Sequence, residues 1–183
     1  MYRAAGASAG SDPRHPDALI VAVAEEFLLL DPRTGQNAPV AGRLCGELAD
    51  PLRTRSRPGR RHSMVEIVTP ACDNLLDLGR HLIAHRRGAA EAAAAAGARL
   101  VAVGATPIDD PQWPDPPRSA DRALADCYGP IASDPAVCGC HVHVDVPDRE
   151  LAVQVCNHLR GWLPVVQAIT VNSPLHSGAD SGH

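Results

Sequence analysis

Residues 137–146 read VCGCHVHVDV. Apolar and polar residues alternate with a period of two, which is the pattern of a β-strand with chemically different faces. On such a strand Cys138 and Cys140 point one way, and His141, His143 and Asp145 point the other. Successive side chains on one face stand about 7 Å apart. The thiols and imidazoles therefore cannot easily share one tetrahedral ion, which argues against a Cys2His2 zinc site and a small zinc-binding protein. The row His141, His143, Asp145 is a candidate polar site. It reads equally as the solvated face of an antiparallel strand.

Downstream, Pro147 and Asp148 end the strand, and Asp148 can cap a helix that begins near Arg149. Leu151, Val155, Leu159 and Trp162 step along one face of it. Pro164 removes a backbone donor and predicts a kink or break there. The segment NSPLHSGADSGH at 172–183 is polar and turn-rich.

Upstream, Arg99 to Val103 reads as a strand. Leu75 to Ala96 is the clearest helix, with Asp73 or Asn74 to cap it and Gly97 to end it. Leu75, Leu78, Leu82, Ala89 and Ala93 mark its apolar face, with Arg80, Arg86, Arg87 and Glu91 largely off it. Met64 to Thr69 reads as a strand with Val65, Ile67 and Thr69 on one face and Met64, Glu66 and Val68 on the other. Leu19 to Leu30 reads as the first strand, stopped by the turn chemistry of DPRTG at 31–35. Residues 36–50 carry no clear signal. Residues 51–62 read as a basic loop. Residues 104–120 hold five prolines and read as a loop, and 121–128 as a short helix. Residues 1–17 read as a disordered tail and 18–183 as one domain.

Composition bounds the function. The chain has 183 residues, 45% hydrophobic and 21% charged, an ordinary balance for one soluble domain. Aromatics are 3%, so the core must be aliphatic. A net charge of −4 argues against a nucleic-acid partner. No apolar run is long enough to span a membrane, and the N-terminus lacks the apolar segment of a secretory signal. The expected compartment is the cytoplasm. Six cysteines without a C-x-x-C pair read as reduced thiols, mostly buried.

Three glutamates lie inside apolar strands. Glu25 and Glu26 are adjacent, so they face opposite sides, and Glu66 repeats the situation on the second strand. A carboxylate in such a place sits at an edge, is paired, or binds a cation. Glutamates and a histidine projecting from neighbouring strands suit Mg2+ or Mn2+ holding nucleotide phosphates. A half-exposed sheet face is the competing reading. The arginines from Arg53 to Arg61 read as a solvated loop. No G-x-x-x-x-G-K phosphate loop and no G-x-S-x-G nucleophile elbow occurs.

Taken in order, five segments resemble the bacterial carboxylate-amine ligase family, also called type 2 glutamate-cysteine ligase. They are VAVAEEFLLLDPRTG (21–35), MVEIVTPAC (64–72), VAVGATP (101–107), CGCHVHVDVPDRELAVQVCNHLRGWLP (138–164) and NSPLHSGADSG (172–182). The resemblance runs from about residue 18 onward. It implies an α+β fold, an antiparallel sheet with helices on one face, forming part of a glutamine-synthetase-like catalytic domain. It implies an ATP-dependent ligase that joins glutamate to cysteine or another amine, giving a γ-glutamyl amide, ADP and phosphate. Mg2+ or Mn2+ is the implied metal, and ATP the co-substrate.

The resemblance also implies site residues. The family's first strand is like G-x-E-x-E, which falls here on Ala22, Ala24 and Glu26. Only Glu26 matches as a metal ligand. His141 matches a histidine near the metal. Glu66 and His143 fall at the substrate or metal side. Relatives in the family run to roughly twice this length, so further strands and ligands are expected beyond the part matched. The rival expectation is a non-catalytic fragment or pseudo-enzyme that associates with itself or with a paralogue.

Overall fold

The computed structural model describes residues 19–59, 61–108, 138–171, 173–176, 178–180 and 182. Strand β1 (Val21–Leu30) is the spine of the sheet. Its alternation of Val, Glu, Phe and Leu suits burial on both faces. On one edge it pairs antiparallel with β3 (Met64–Val68). Its other edge is shared by β4 (Arg99–Val101) toward the C-terminal end and β5 (Cys140–Val144) toward the N-terminal end. A short strand β2 (Ser56–Pro58) adds to the far side of β3. The architecture is α+β with an antiparallel sheet, as expected.

The first strand stops where its turn residues say it should. The Asp31 carboxylate accepts the backbone N–H groups of Arg33 and Thr34 at 2.8 and 2.9 Å. Gly35 then turns with a φ of 72° that other residues rarely adopt.

Helix α1 (Ala41–Glu47) and helix α2 (Leu75–Ala95) lie on the face carrying Phe27, Leu29, Val65 and Ile67. There Leu29, Leu44, Val65, Ala89 and Ala93 are 0% exposed. Alanines on α2 let the helix approach the sheet closely, which makes a core without aromatics beyond Phe27 workable. The Asn74 side chain caps α2 by accepting the Asp77 N–H at 2.8 Å, and Gly97, at φ 79°, ends it. Asn74→Ala is expected to cost about 1 kcal/mol, read as a lower urea midpoint with an unchanged slope.

Beyond β5 come helices α3 (Arg149–Leu159) and α4 (Leu163–Thr170), then a small hairpin of β6 (Leu175–His176) and β7 (Ala179–Asp180). The break between the helices falls at 160–162, and Pro164 occupies the first turn of α4, where a missing N–H costs nothing.

Several expectations change. Residues 51–62 are not simply a loop, because Ser56–Pro58 pair with β3. The unassigned stretch 36–50 contains α1. Leu75 is 76% exposed, so α2 buries its face only from Leu78 onward, and His85 and Ala92 join it. Thr69 lies just past β3, although its backbone and hydroxyl still bond Val23. The strand near Arg99 ends at Val101, and the one near Val137 spans only Cys140–Val144. Leu151, Val155, Leu159 and Trp162 do share a side, yet they are 38–55% exposed. Among the described residues the cysteines are not mostly buried: Cys72 is, Cys45 and Cys138 are half-buried, and Cys140 and Cys156 are exposed. The tail at 1–17, the helix at 121–128 and most of the proline-rich loop lie outside the described residues.

Candidate functional site

Paired residues on adjacent strands point to the same side of a sheet. Arg57 on β2, Glu66 on β3 and Glu26 on β1 stand in one such row. Ala24 opposes His141 and Ala22 opposes His143 in the neighbouring rows. Glu26, Glu66, His141 and His143 therefore share one face, on the side away from α1 and α2. Period two put His141 and His143 on one side of β5 and Glu66 opposite Val65 and Ile67 on β3; the register of the pairing brings them to the face of Glu26.

Two carboxylates directly opposite each other repel unless each is compensated. Glu66, with its side chain 11% exposed, accepts Arg57 Nε at 2.7 Å and Nη2 at 2.5 Å. Glu26 accepts the Gly139 backbone N–H at 2.8 Å, while its own N–H donates to the Gly139 carbonyl at 2.9 Å. Gly139 is also where His141 folds back. A Cβ at Gly139 would fall 2.6 Å from His141 Nε2 and 3.4 Å from Glu26 Oε2. The absence of a side chain at Gly139 thus leaves the space beside the Glu26 carboxylate to the His141 ring. The His141 and His143 rings lie 6.3 Å apart at 72°. Asp145 has left the strand, and its N–H bonds the Ile20 carbonyl.

Glu25 goes the other way. It receives a bidentate clamp from Arg86 on α2, with Nη2 at 2.5 Å and Nε at 3.0 Å. That contact secures helix to sheet and assigns Glu25 to the helix side.

The thiols separate as well. Cys138 precedes β5, so the strand's alternation does not govern it. Burial, reinforced by the nearby Glu26 carboxylate, pushes its thiol up to about 11. Cys140 is also raised, by burial and by Glu25. Both stay protonated at neutral pH and are poor metal ligands. Among the described residues no three His, Cys, Asp or Glu side chains form a metal cage. The same holds for Glu26, Glu66 and His141 as a ready-made cage.

The donor set fits a different ion. Magnesium takes one or two protein carboxylates and completes its shell with water and phosphate oxygens. Glu26 and Glu66 would offer such an ion two hard oxygens on one face; with His141 they form no three-donor group among the described residues, so most of its shell would have to come from water and phosphate.

Sequence reasoning missed three contributors. Arg57 was read as solvated, although it neutralises Glu66. Arg61 was read the same way but is 7% exposed, and its charge reaches Cys138. Neither is visible without the β2–β3 pairing. Gly139 did carry a signal: a glycine at a strand entrance marks close backbone approach.

A sequence model described as glutamate-cysteine ligase family 2 matches residues 20–183. The protein named "Putative glutamate--cysteine ligase 2" from Salinispora tropica is 58% identical over 173 residues, covering 94% of this chain and 46% of that relative. Its namesake from Salinispora arenicola is 60% identical over 165 residues, covering 90% and 44%. "Putative glutamate--cysteine ligase 2-3" of Mycolicibacterium smegmatis is 41% identical over 162 residues, covering 88% and 44%. The chain spans less than half the length of these curated relatives.

Proposed function

This chain belongs to glutamate-cysteine ligase family 2, and from that premise we propose that its polar sheet face is the N-terminal part of an ATP-dependent carboxylate-amine ligase site. The observation that carries the reading is the shared face of Glu26, Glu66 and His141, opposite the helices. The substrates are ATP, glutamate, and cysteine or another amine. The fold would be the corresponding part of a glutamine-synthetase-like domain working in the cytoplasm.

In this reading ATP phosphorylates the glutamate γ-carboxylate, and the amine displaces phosphate to form the amide. A bound Mg2+ would supply charge neutralisation for the phosphates. The chain's own residues prepare that place. Gly139 N–H holds one oxygen of Glu26 and leaves the carboxylate's other lone pairs for a ligand. Arg57 cancels the charge of Glu66, so two carboxylates can stand side by side before any cation arrives. Ala22 and Ala24 put only methyl groups on this face of β1 opposite His143 and His141.

The test is the melting temperature of the chain with and without Mg·ATP. A ligand specific to the native state stabilises by about 2.7 kcal/mol at one hundred times its Kd, a rise of several degrees. Glu26→Gln is expected to abolish most of that rise. A ligand-blind melt in the unaltered chain would overturn the reading.

A second reading rests on α3 and α4, where no described residue is buried and Ile169 is 77% exposed. The chain would then act without turnover, by associating with itself or with a paralogue. Concentration-dependent dimers in sedimentation, without any response to Mg·ATP, would favour it.

A further inference from the structure

His85 sits midway along α2, turned into the protein at 8% exposure, and its Nδ1 has no hydrogen-bond partner. His81 lies one turn earlier, with ring centroids 5.9 Å apart. Among the described residues, the charged and titratable groups acting on His85 are His81 on α2, Arg55 before β2 and Glu25 on β1, with Arg86 next to it in the chain. Glu25 is the anion on the sheet side, and Arg86 already occupies it.

The two halves of α2 are held unequally. Ala89, Ala92, Ala93 and Ala96 belong to the main core. Leu78 and Leu82 reach only a small cluster with Val21, Val23 and Cys72. Apart from the Arg86–Glu25 clamp at its end, the first half has only that small cluster to hold it, and is the part more easily opened.

We propose that His85 is an acid-sensitive latch, whose protonation frees the first half of α2, Leu75 to Arg86, from the sheet while the alanine-rich half stays docked. A proton on this ring creates a buried cation near Arg55 and His81, with no carboxylate to spare. Burial first, then the positive fields of His81 and Arg55, hold His85 below the ordinary histidine range, against a smaller pull from Glu25. The native state thus keeps His85 neutral where the unfolded chain, with a value of about 6.5, takes up a proton. Stability is complete above that value and is lost as pH falls through the lower folded value.

Hydrogen exchange on the whole chain at pH 7.5 and 5.5, corrected for the intrinsic pH dependence, tests the latch. The expected result is severalfold faster opening of Leu75–Arg86 at pH 5.5, up to the ceiling of about tenfold that one histidine with an open-state value of about 6.5 allows, with Ala89–Ala95 unchanged. His85→Leu should remove that difference, and His81→Gln should keep it. Should His85→Leu fail to fold, His85→Gln serves, together with an NMR titration of the His85 ring in the unaltered chain. The latch is overturned by equal acceleration in the His85 variant, by uniform loosening of α2, by loss of the effect in His81→Gln, or by a ring midpoint at or above about 6.5. No nucleotide enters this experiment, so its outcome is independent of the ligase reading.

Discussion

Replacing Arg86 by Met lowers the stability of the chain by about 2–3 kcal/mol, and replacing Glu25 by Gln in the same molecule restores much of it. The single change strands a carboxylate whose side chain is only 10% exposed. Breaking a buried pair from one side costs about 3–5 kcal/mol, because the remaining charge has lost its counter-ion. Arg86 itself is 56% exposed, so solvent reduces that figure. Removing the charge of Glu25 as well leaves no ion to desolvate. Urea unfolding of both single variants and the double variant measures the coupling. Equal losses in Arg86→Met and in the double variant would mean that the clamp contributes only packing.

Replacing Gly139 by Ala weakens the response to Mg·ATP at least tenfold while moving the ligand-free melting temperature little. The new methyl would collide with the His141 ring at 2.6 Å to Nε2 and 3.1 Å to Cδ2. His141 is exposed, so its ring can swing aside at small cost to the fold. It then no longer shares a corner with Glu26. Calorimetric titration with Mg·ATP reads the effect directly. Unchanged affinity would show that the place of His141 beside Glu26 plays no part in binding. A large fall in ligand-free stability would instead show that Gly139 is structural.

Much of this was legible in the residues. Alternation in β1, β3 and β5 specified which side each chain member faces, since the strand period is two and leaves no freedom once the register is set. It set Glu25 against Glu26 and put His141 on the same side as His143, while the pairing register of β1 with β3 and β5 joined Glu26 to Glu66 and His141. Caps at Asn74 and Asp148 located two helix starts, because their side-chain oxygens satisfy N–H groups only at that position. Family resemblance named the same residues independently.

Other features depend on contacts between distant segments. Arg57 becomes a counter-ion only because β2 adds to β3, a pairing that PLRTRSRPG does not announce, since its prolines and glycine suggest a loop. The Arg86–Glu25 clamp joins residues 61 positions apart, and helix periodicity alone placed Arg86 off the packed face. His85 carried no signal in the helix pattern, and packing buried it. Sequence by itself determined β1, β3 and α2, the relative facing of residues within each strand, and the family. Tertiary structure alone decided which charges meet, because electrostatic partners are set by the spatial neighbours that folding supplies, and local pattern carries no record of them.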